Sequence, residues 1–100
     1  MTKSALLSVS RGLAKVLSGT QVTVNAILPG PTRSEGVIKM VGEMAEKEGI
    51  SQQEMEERFV KENRPSSIIQ RLATPEEVAS MSVYVASPQA SATSGAALRV

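Results

Sequence analysis

Val24-Asn25-Ala26-Ile27-Leu28-Pro29-Gly30-Pro31-Thr32-Arg33-Ser34 is the stretch that decides the fold. Its first half continues from Val22 as a β-branched, apolar run with Asn25 in the middle, the pattern of a strand in a parallel sheet. Pro29 stops that run. Pro31 denies its N–H to any ladder, and Ser34 stands where a hydroxyl can cap a helix beginning near Glu35. A strand over 22–28, a loop over 30–34 and then a helix make an α/β pattern. Asn25, a polar residue in a buried strand, has to find partners and reads as structural, bridging backbone beside the loop. Arg33 reads as a surface residue, with a phosphate contact as the alternative.

Working outward, Leu6, Val9, Leu13 and Val16/Leu17 recur at helical spacing with Ser8, Arg11 and Lys15 opposite. They predict an amphipathic helix from Thr2 to about Leu17, ended by Gly19 at C′. On the other side, Val37, Ile38, Val41, Met44 and Ala45 form the stripe of a second helix closed by Gly49. Ser51 caps a third, with Glu54 at the capping-box position, running to about Asn63. Glu43/Lys47, Glu54/Arg58 and Glu57/Lys61 have the i,i+4 order that favours ion pairs on a solvated face. Pro65-Ser66-Ser67 breaks the run. Thr74-Pro75-Glu76-Glu77 is then a complete helix start, with Thr74 as cap, Pro75 at N1 and Glu77 closing the box. Val78, Met81 and Val85, with Ala79 and Ala86, give that helix its packing side up to Pro88. Ala96 to Val100 reads as a last strand, expected to pair in parallel with the first through a right-handed crossover.

Composition narrows the chemistry. The 100 residues hold no cysteine and no histidine, which removes disulfides, thiolate and imidazole metal sites and Ser-His-Asp triads; no metal site is expected. A formal net charge of +1 and only two aromatic residues, Phe59 and Tyr84, argue against nucleic-acid binding. No apolar run reaches membrane-spanning length, so neither membrane insertion nor an exported leader is expected, and a cytoplasmic protein is the default. Charge is uneven: residues 35–64 carry eight Glu against five Lys and Arg, the remainder two Glu against six.

Met1-Thr2-Lys3-Ser4-Ala5-Leu6-Leu7 reads as the second half of a Tyr-x-x-x-Lys motif, with the tyrosine two positions before Met1. Together with Pro29-Gly30-Pro31-Thr32-Arg33-Ser34, Arg71-Leu72-Ala73-Thr74-Pro75-Glu76-Glu77-Val78-Ala79 and Ser94-Gly95-Ala96-Ala97-Leu98-Arg99-Val100, it resembles the C-terminal part of the short-chain dehydrogenase/reductase family. Ser34 stands in place of the last threonine of that family's Pro-Gly-x-Thr-x-Thr loop, and no Asp-Gly-Gly follows Val100. The resemblance implies the C-terminal portion of a Rossmann-like, doubly wound parallel sheet, mostly helical and with two short parallel strands. It implies an oxidoreductase that uses NAD or NADP to interconvert a small-molecule alcohol and a carbonyl.

By the same resemblance, Lys3 is catalytic and cofactor-binding: it holds the nicotinamide ribose, and its charge favours phenolate on a tyrosine one helical turn away. Pro29 and Gly30 border the nicotinamide, Thr32 binds its carboxamide and Ser34 assists at the pyrophosphate. The helices at about 35–64 correspond to the substrate lid, with Met40, Met44, Met55 and Phe59 as candidate lining residues; the alternative for methionines at helical spacing is core filling. The glycine-rich loop, the catalytic serine and the tyrosine would all precede Met1, so the 100 residues are expected to be one part of a single domain and inactive alone. Homo-oligomers are expected, through the apolar face of the first helix and the strand edge. A rival expectation is a non-catalytic fragment that serves as a protein-interaction module.

Overall fold

The computed structural model describes residues 2–100, in the order helix α1 (Thr2–Val16), strand β1 (Ala26–Leu28), helices α2 (Glu35–Glu48), α3 (Gln52–Asn63) and α4 (Pro75–Val85), a 3₁₀ turn (Pro88–Ala90) and strand β2 (Ala97–Arg99). Two compact units divide it: one holds the chain up to Pro29 together with Val78–Val100, the other holds Gly30–Glu77.

In the first unit, β1 and β2 pair in parallel, with Ala26 opposite Ala97, Ile27 opposite Leu98 and Leu28 opposite Arg99. The parallel pair agrees with the sequence; the length of the first strand does not. Val22–Asn25 lie outside the ladder because β2 begins only at Ala97, opposite Ala26, whose N–H donates to Ala96 O at 2.9 Å. Before that point the chain is held differently. Gly95 N–H donates to Val24 O at 2.7 Å, and Val24 N–H donates to the Ser94 hydroxyl at 3.1 Å. Asn25 bridges backbone as expected, but at the start of β1 and not beside the loop that follows it. Its amide donates to Thr93 O at 3.0 Å, and its Oδ1 accepts from Ala96 N–H at 3.1 Å, so one side chain ties the two strand approaches together.

Helix α1 ends one residue earlier than the sequence suggested, with Gly19 following at φ 82°. None of its residues is buried, and Leu6, Val9, Leu13 and Val16 are all exposed. Arg11 reaches from α1 to the approach to β2, where Nη1 donates to Gly95 O at 2.9 Å. Gly95 has φ 73°, a left-handed conformation that an L side chain resists.

The second unit is built around a helix pair. Ser34 caps α2 and accepts from Val37 N–H; Gly49, left-handed at φ 66°, closes it; Ser51 caps α3 and accepts from Glu54 N–H. Val41, Ala45 and Met55 form a buried cluster, flanked by Val37, Ile50 and Phe59. Val60, on the same helix as Met55, is wholly buried. Fully burying side chains of this size contributes about 1.5–3 kcal/mol each.

The i,i+4 ion pairs expected within α2 and α3 are not formed among the described residues. Arg58 instead pairs with Glu48 of α2, and Arg33 of the loop pairs with Glu56 of α3 at 2.9 Å. Tertiary contact between the two helices supplies nearer acceptors than the same helix does.

Candidate active-site loop

Residues 29–34 turn the chain from β1 to α2. Pro29 and Gly30 are exposed, while Pro31 and Thr32 are partly covered. Thr32 folds its hydroxyl back onto its own loop, donating to Gly30 O at 2.9 Å, and Ser34 N–H donates to Thr32 O at 2.8 Å. The loop is also stapled from outside. Thr32 and Ala73 form an isolated parallel bridge, in which Arg33 N–H donates to Ala73 O at 2.7 Å and Ala73 N–H donates to Pro31 O at 2.9 Å. Ala73 is 3% exposed and Leu72 7%, so the staple rests on buried backbone.

The geometry leaves a small set of donors free. Pro31 and Arg33 turn their bonding groups toward Ala73, and the alternation of an extended backbone sends those of Thr32 the other way. The N–H groups of Gly30 and Thr32 make no hydrogen bond among the described residues. An unpaired pair of amides beside a hydroxyl after a strand can receive carbonyl or phosphate oxygens. Ser34 is already committed: its oxygen accepts from Val37 N–H at 3.4 Å as the helix cap, and its hydroxyl proton remains available to a ligand.

Gly30, Thr32 and Ser34 belong to the second unit; Lys3 and Pro29 belong to the first. Lys3 sits in the first turn of α1, exposed, and its ammonium makes no hydrogen bond or ion pair among the described residues. Met1, the first residue of the motif stretch, lies outside the described residues. Of the candidate lining residues, Met55 is 1% exposed and Phe59 packs beside it, so these two are core. Met40 and Met44 remain exposed on α2. Helical spacing placed all four alike; only the α2–α3 pairing separates them.

Sequence reading recognised the Thr74–Glu77 box but not its third member. Glu77 N–H donates to Thr74 Oγ1 at 3.1 Å and Thr74 N–H donates to Glu77 Oε1 at 2.9 Å, both bonds of the box. Arg71 adds a two-pronged contact, Nη1 to Oε1 and Nη2 to Oε2, each 2.8 Å. The Arg71 hydrogen bonds, then the Thr74 N–H, hold the Glu77 carboxyl down at about 2 from an ordinary 4.5, and the same contact raises Arg71. An arginine three residues before a capping threonine was the available signal.

The sequence pattern of the family described as enoyl-(acyl carrier protein) reductase matches residues 1–100. The uncharacterized oxidoreductase YvaG of Bacillus subtilis is 52% identical over 98 residues, 98% of this chain and 37% of that protein. A second B. subtilis uncharacterized oxidoreductase, YvrD, is 49% identical over 100 residues, all of this chain and 38% of that protein. L-sorbose reductase from Gluconobacter frateurii, solved with NADPH and L-sorbose, superposes with a TM-score of 0.81 at 30% identity, over 99% of this chain and 36% of that one. The chain thus spans well under half the length of the relatives it matches.

Proposed function

This chain belongs to the short-chain dehydrogenase/reductase family, and on that premise we propose that the native protein is an NAD(P)-dependent oxidoreductase interconverting an alcohol and a carbonyl. Residues 1–100 act as the C-terminal part of its single domain, with α2 and α3 as a substrate lid. The observation that carries this reading is the loop after β1, where the free Gly30 and Thr32 amides can donate and the Thr32 hydroxyl oxygen, its proton held by Gly30 O, can accept, a set suited to a nicotinamide carboxamide.

When bound, the coenzyme supplies the hydride donor or acceptor. The chain's own residues bind and orient. Lys3 offers an ammonium to ribose hydroxyls, and its charge favours the phenolate of a tyrosine one helical turn before it. Pro29 and Gly30 let backbone approach the nicotinamide, with no N–H on Pro29 and no Cβ on Gly30 in the way. Thr32 takes the carboxamide, and Ser34, still capping α2, turns its proton to a phosphate oxygen. Met40 and Met44 give α2 apolar surface that can shed water from a substrate.

The only tyrosine within these 100 residues is Tyr84, so the isolated chain should bind coenzyme weakly and not turn over. A cytoplasmic, homo-oligomeric protein belongs to the same proposal. Among the described residues no helix is long and apolar enough to cross a membrane, and the exposed Leu6, Val9, Leu13 and Val16 support association. That face equally favours a second reading, a non-catalytic interaction module.

Intact mass and nicotinamide-dependent turnover of the native protein separate the two. The enzyme reading expects a mass well above the 10.6 kDa of these residues, NAD(P)H-dependent carbonyl reduction, and a loss of kcat of about 10²–10⁴ in Lys3→Ala. A native mass of 10.6 kDa without coenzyme binding would favour the interaction module.

A further inference from the structure

We propose that the Arg71–Glu77 pair is a positioning device for the Gly30–Ser34 loop: by fixing the segment 72–74 it fixes Ala73, and through Ala73 the orientation of the Thr32 amide. The inference rests on the reading of this loop as the coenzyme-facing one. Every residue in it lies within Gly30–Glu77.

The chain of contacts is continuous. Ala73 holds the loop on both sides of Thr32, through Pro31 O and Arg33 N–H. What holds Ala73 is a ring closed by one carboxylate. Glu77 accepts from Arg71 on one flank of Ala73 and from Thr74 N–H on the other. Arg71 Nη1 also donates to Leu72 O at 3.1 Å, pinning the carbonyl that precedes Ala73. Upstream, Gln70 turns the chain into this segment at φ 51°, its amide bonded to Pro65 O and Ser67 O.

An exposed ion pair ordinarily contributes little to stability. This one differs in what it joins. Its carboxylate is simultaneously a helix cap, and its arginine fork is planar and two-pronged, so it restricts direction as well as distance. Losing it leaves the α2–α3 core untouched while freeing the segment that orients Thr32. A misplacement of about 1 Å in a positioning element can cost on the order of a hundredfold in a catalysed rate.

The test uses native protein with four substitutions: Arg71→Ala, Arg71→Lys, Glu77→Gln and Thr32→Val. Two readouts are taken, amide hydrogen exchange at Arg33 and Ala73, and the Kd for NADPH and NADH. Arg71→Ala is expected to speed exchange of both amides about tenfold while amides around Met55 and Val60 keep their protection, and to weaken coenzyme binding several-fold. Arg71→Lys, which keeps charge but loses the fork, should resemble Arg71→Ala. Glu77→Gln, which keeps an acceptor for Thr74 N–H, should fall between it and the unsubstituted protein. Thr32→Val should weaken coenzyme binding without speeding exchange.

Unchanged exchange at Arg33 and Ala73 in Arg71→Ala overturns the positioning role, as does a loss of protection spread equally through α2 and α3. Full coenzyme affinity in Thr32→Val, with exchange still faster in Arg71→Ala, overturns the coenzyme assignment of the loop and leaves the mechanical link standing.

Discussion

The two units of this protein bury their apolar residues very differently. Residues 30–77 carry Val41, Ala45, Met55, Val60, Leu72 and Ala73 nearly free of solvent, whereas among the described residues Ala90 is the one buried apolar residue that falls in the other unit. In α1 every large apolar residue except Leu7 is exposed. A helix hairpin closes a core from residues close together in sequence. A parallel strand pair needs layers on both faces and partners on both edges, and here it has one ladder. The unit of residues 30–77 has a core that can hold its own shape, while the unit bearing Lys3 relies on its backbone ties.

The largest effect should come from the self-sufficient side. Met55→Ala empties the centre of the Val41–Ala45–Met55 cluster and should cost about 2–5 kcal/mol in urea unfolding. A cost under 1 kcal/mol would break the contrast, because it would mean that this core is not what holds α2 to α3.

The other unit should be most sensitive at its ties. Asn25→Ala leaves Ala96 N–H and Thr93 O without their partner and should cost about 1–3 kcal/mol. Gly95→Ala meets two obstacles, a φ of 73° and a Cβ that would stand 2.9 Å from Arg11 Nη1. Gly19→Ala meets only the first, with φ 82° and open space around the added carbon. Left-handed backbone alone costs about 1–2 kcal/mol, so Gly95→Ala should destabilise more than Gly19→Ala in the same urea series. Equal costs would mean that the Arg11–Gly95 contact is dispensable.

Acid should distinguish the helix start of α4 from the rest. The Glu77 carboxyl is depressed to about 2 from 4.5, so its stabilisation is fully present above about pH 4.5 and is lost as pH falls toward 2. Protection of the Thr74 amide measured across that window should fall in the native sequence and be flat in Glu77→Gln. The smallest effect belongs to the α1 face. Leu6→Ser and Val9→Ser change residues 63% and 66% exposed, and should move stability by no more than about 0.5 kcal/mol. They should instead reduce concentration-dependent association in sedimentation velocity.

What the sequence made legible was local. Helix starts and stops at Ser34, Gly49, Ser51 and Thr74 depend on bonds between residues three or four apart, and all four formed. The role of Asn25 was legible because a polar side chain in a strand has few other solutions. Strand length was not, since Val22–Asn25 have strand-like composition but the opposite strand starts at Ala97. Ion pairing failed for a related reason: Arg58 had an acceptor within its own helix and another in α2, and packing chose the second. At the site, Thr32 and Gly30 could be named from their motif, but the Ala73 staple joins positions far apart in the chain and left no local signal.

The most direct test of the account is the footprint of coenzyme on the native protein, read from backbone amide shifts during titration with NADPH and with NADH. One of the two should shift the Gly30 and Thr32 amides first, with Lys3 Nζ responding and the buried amides of Val41 and Met55 unmoved. A saturable footprint that leaves residues 29–34 and Lys3 unchanged, or no binding of either coenzyme, would contradict it.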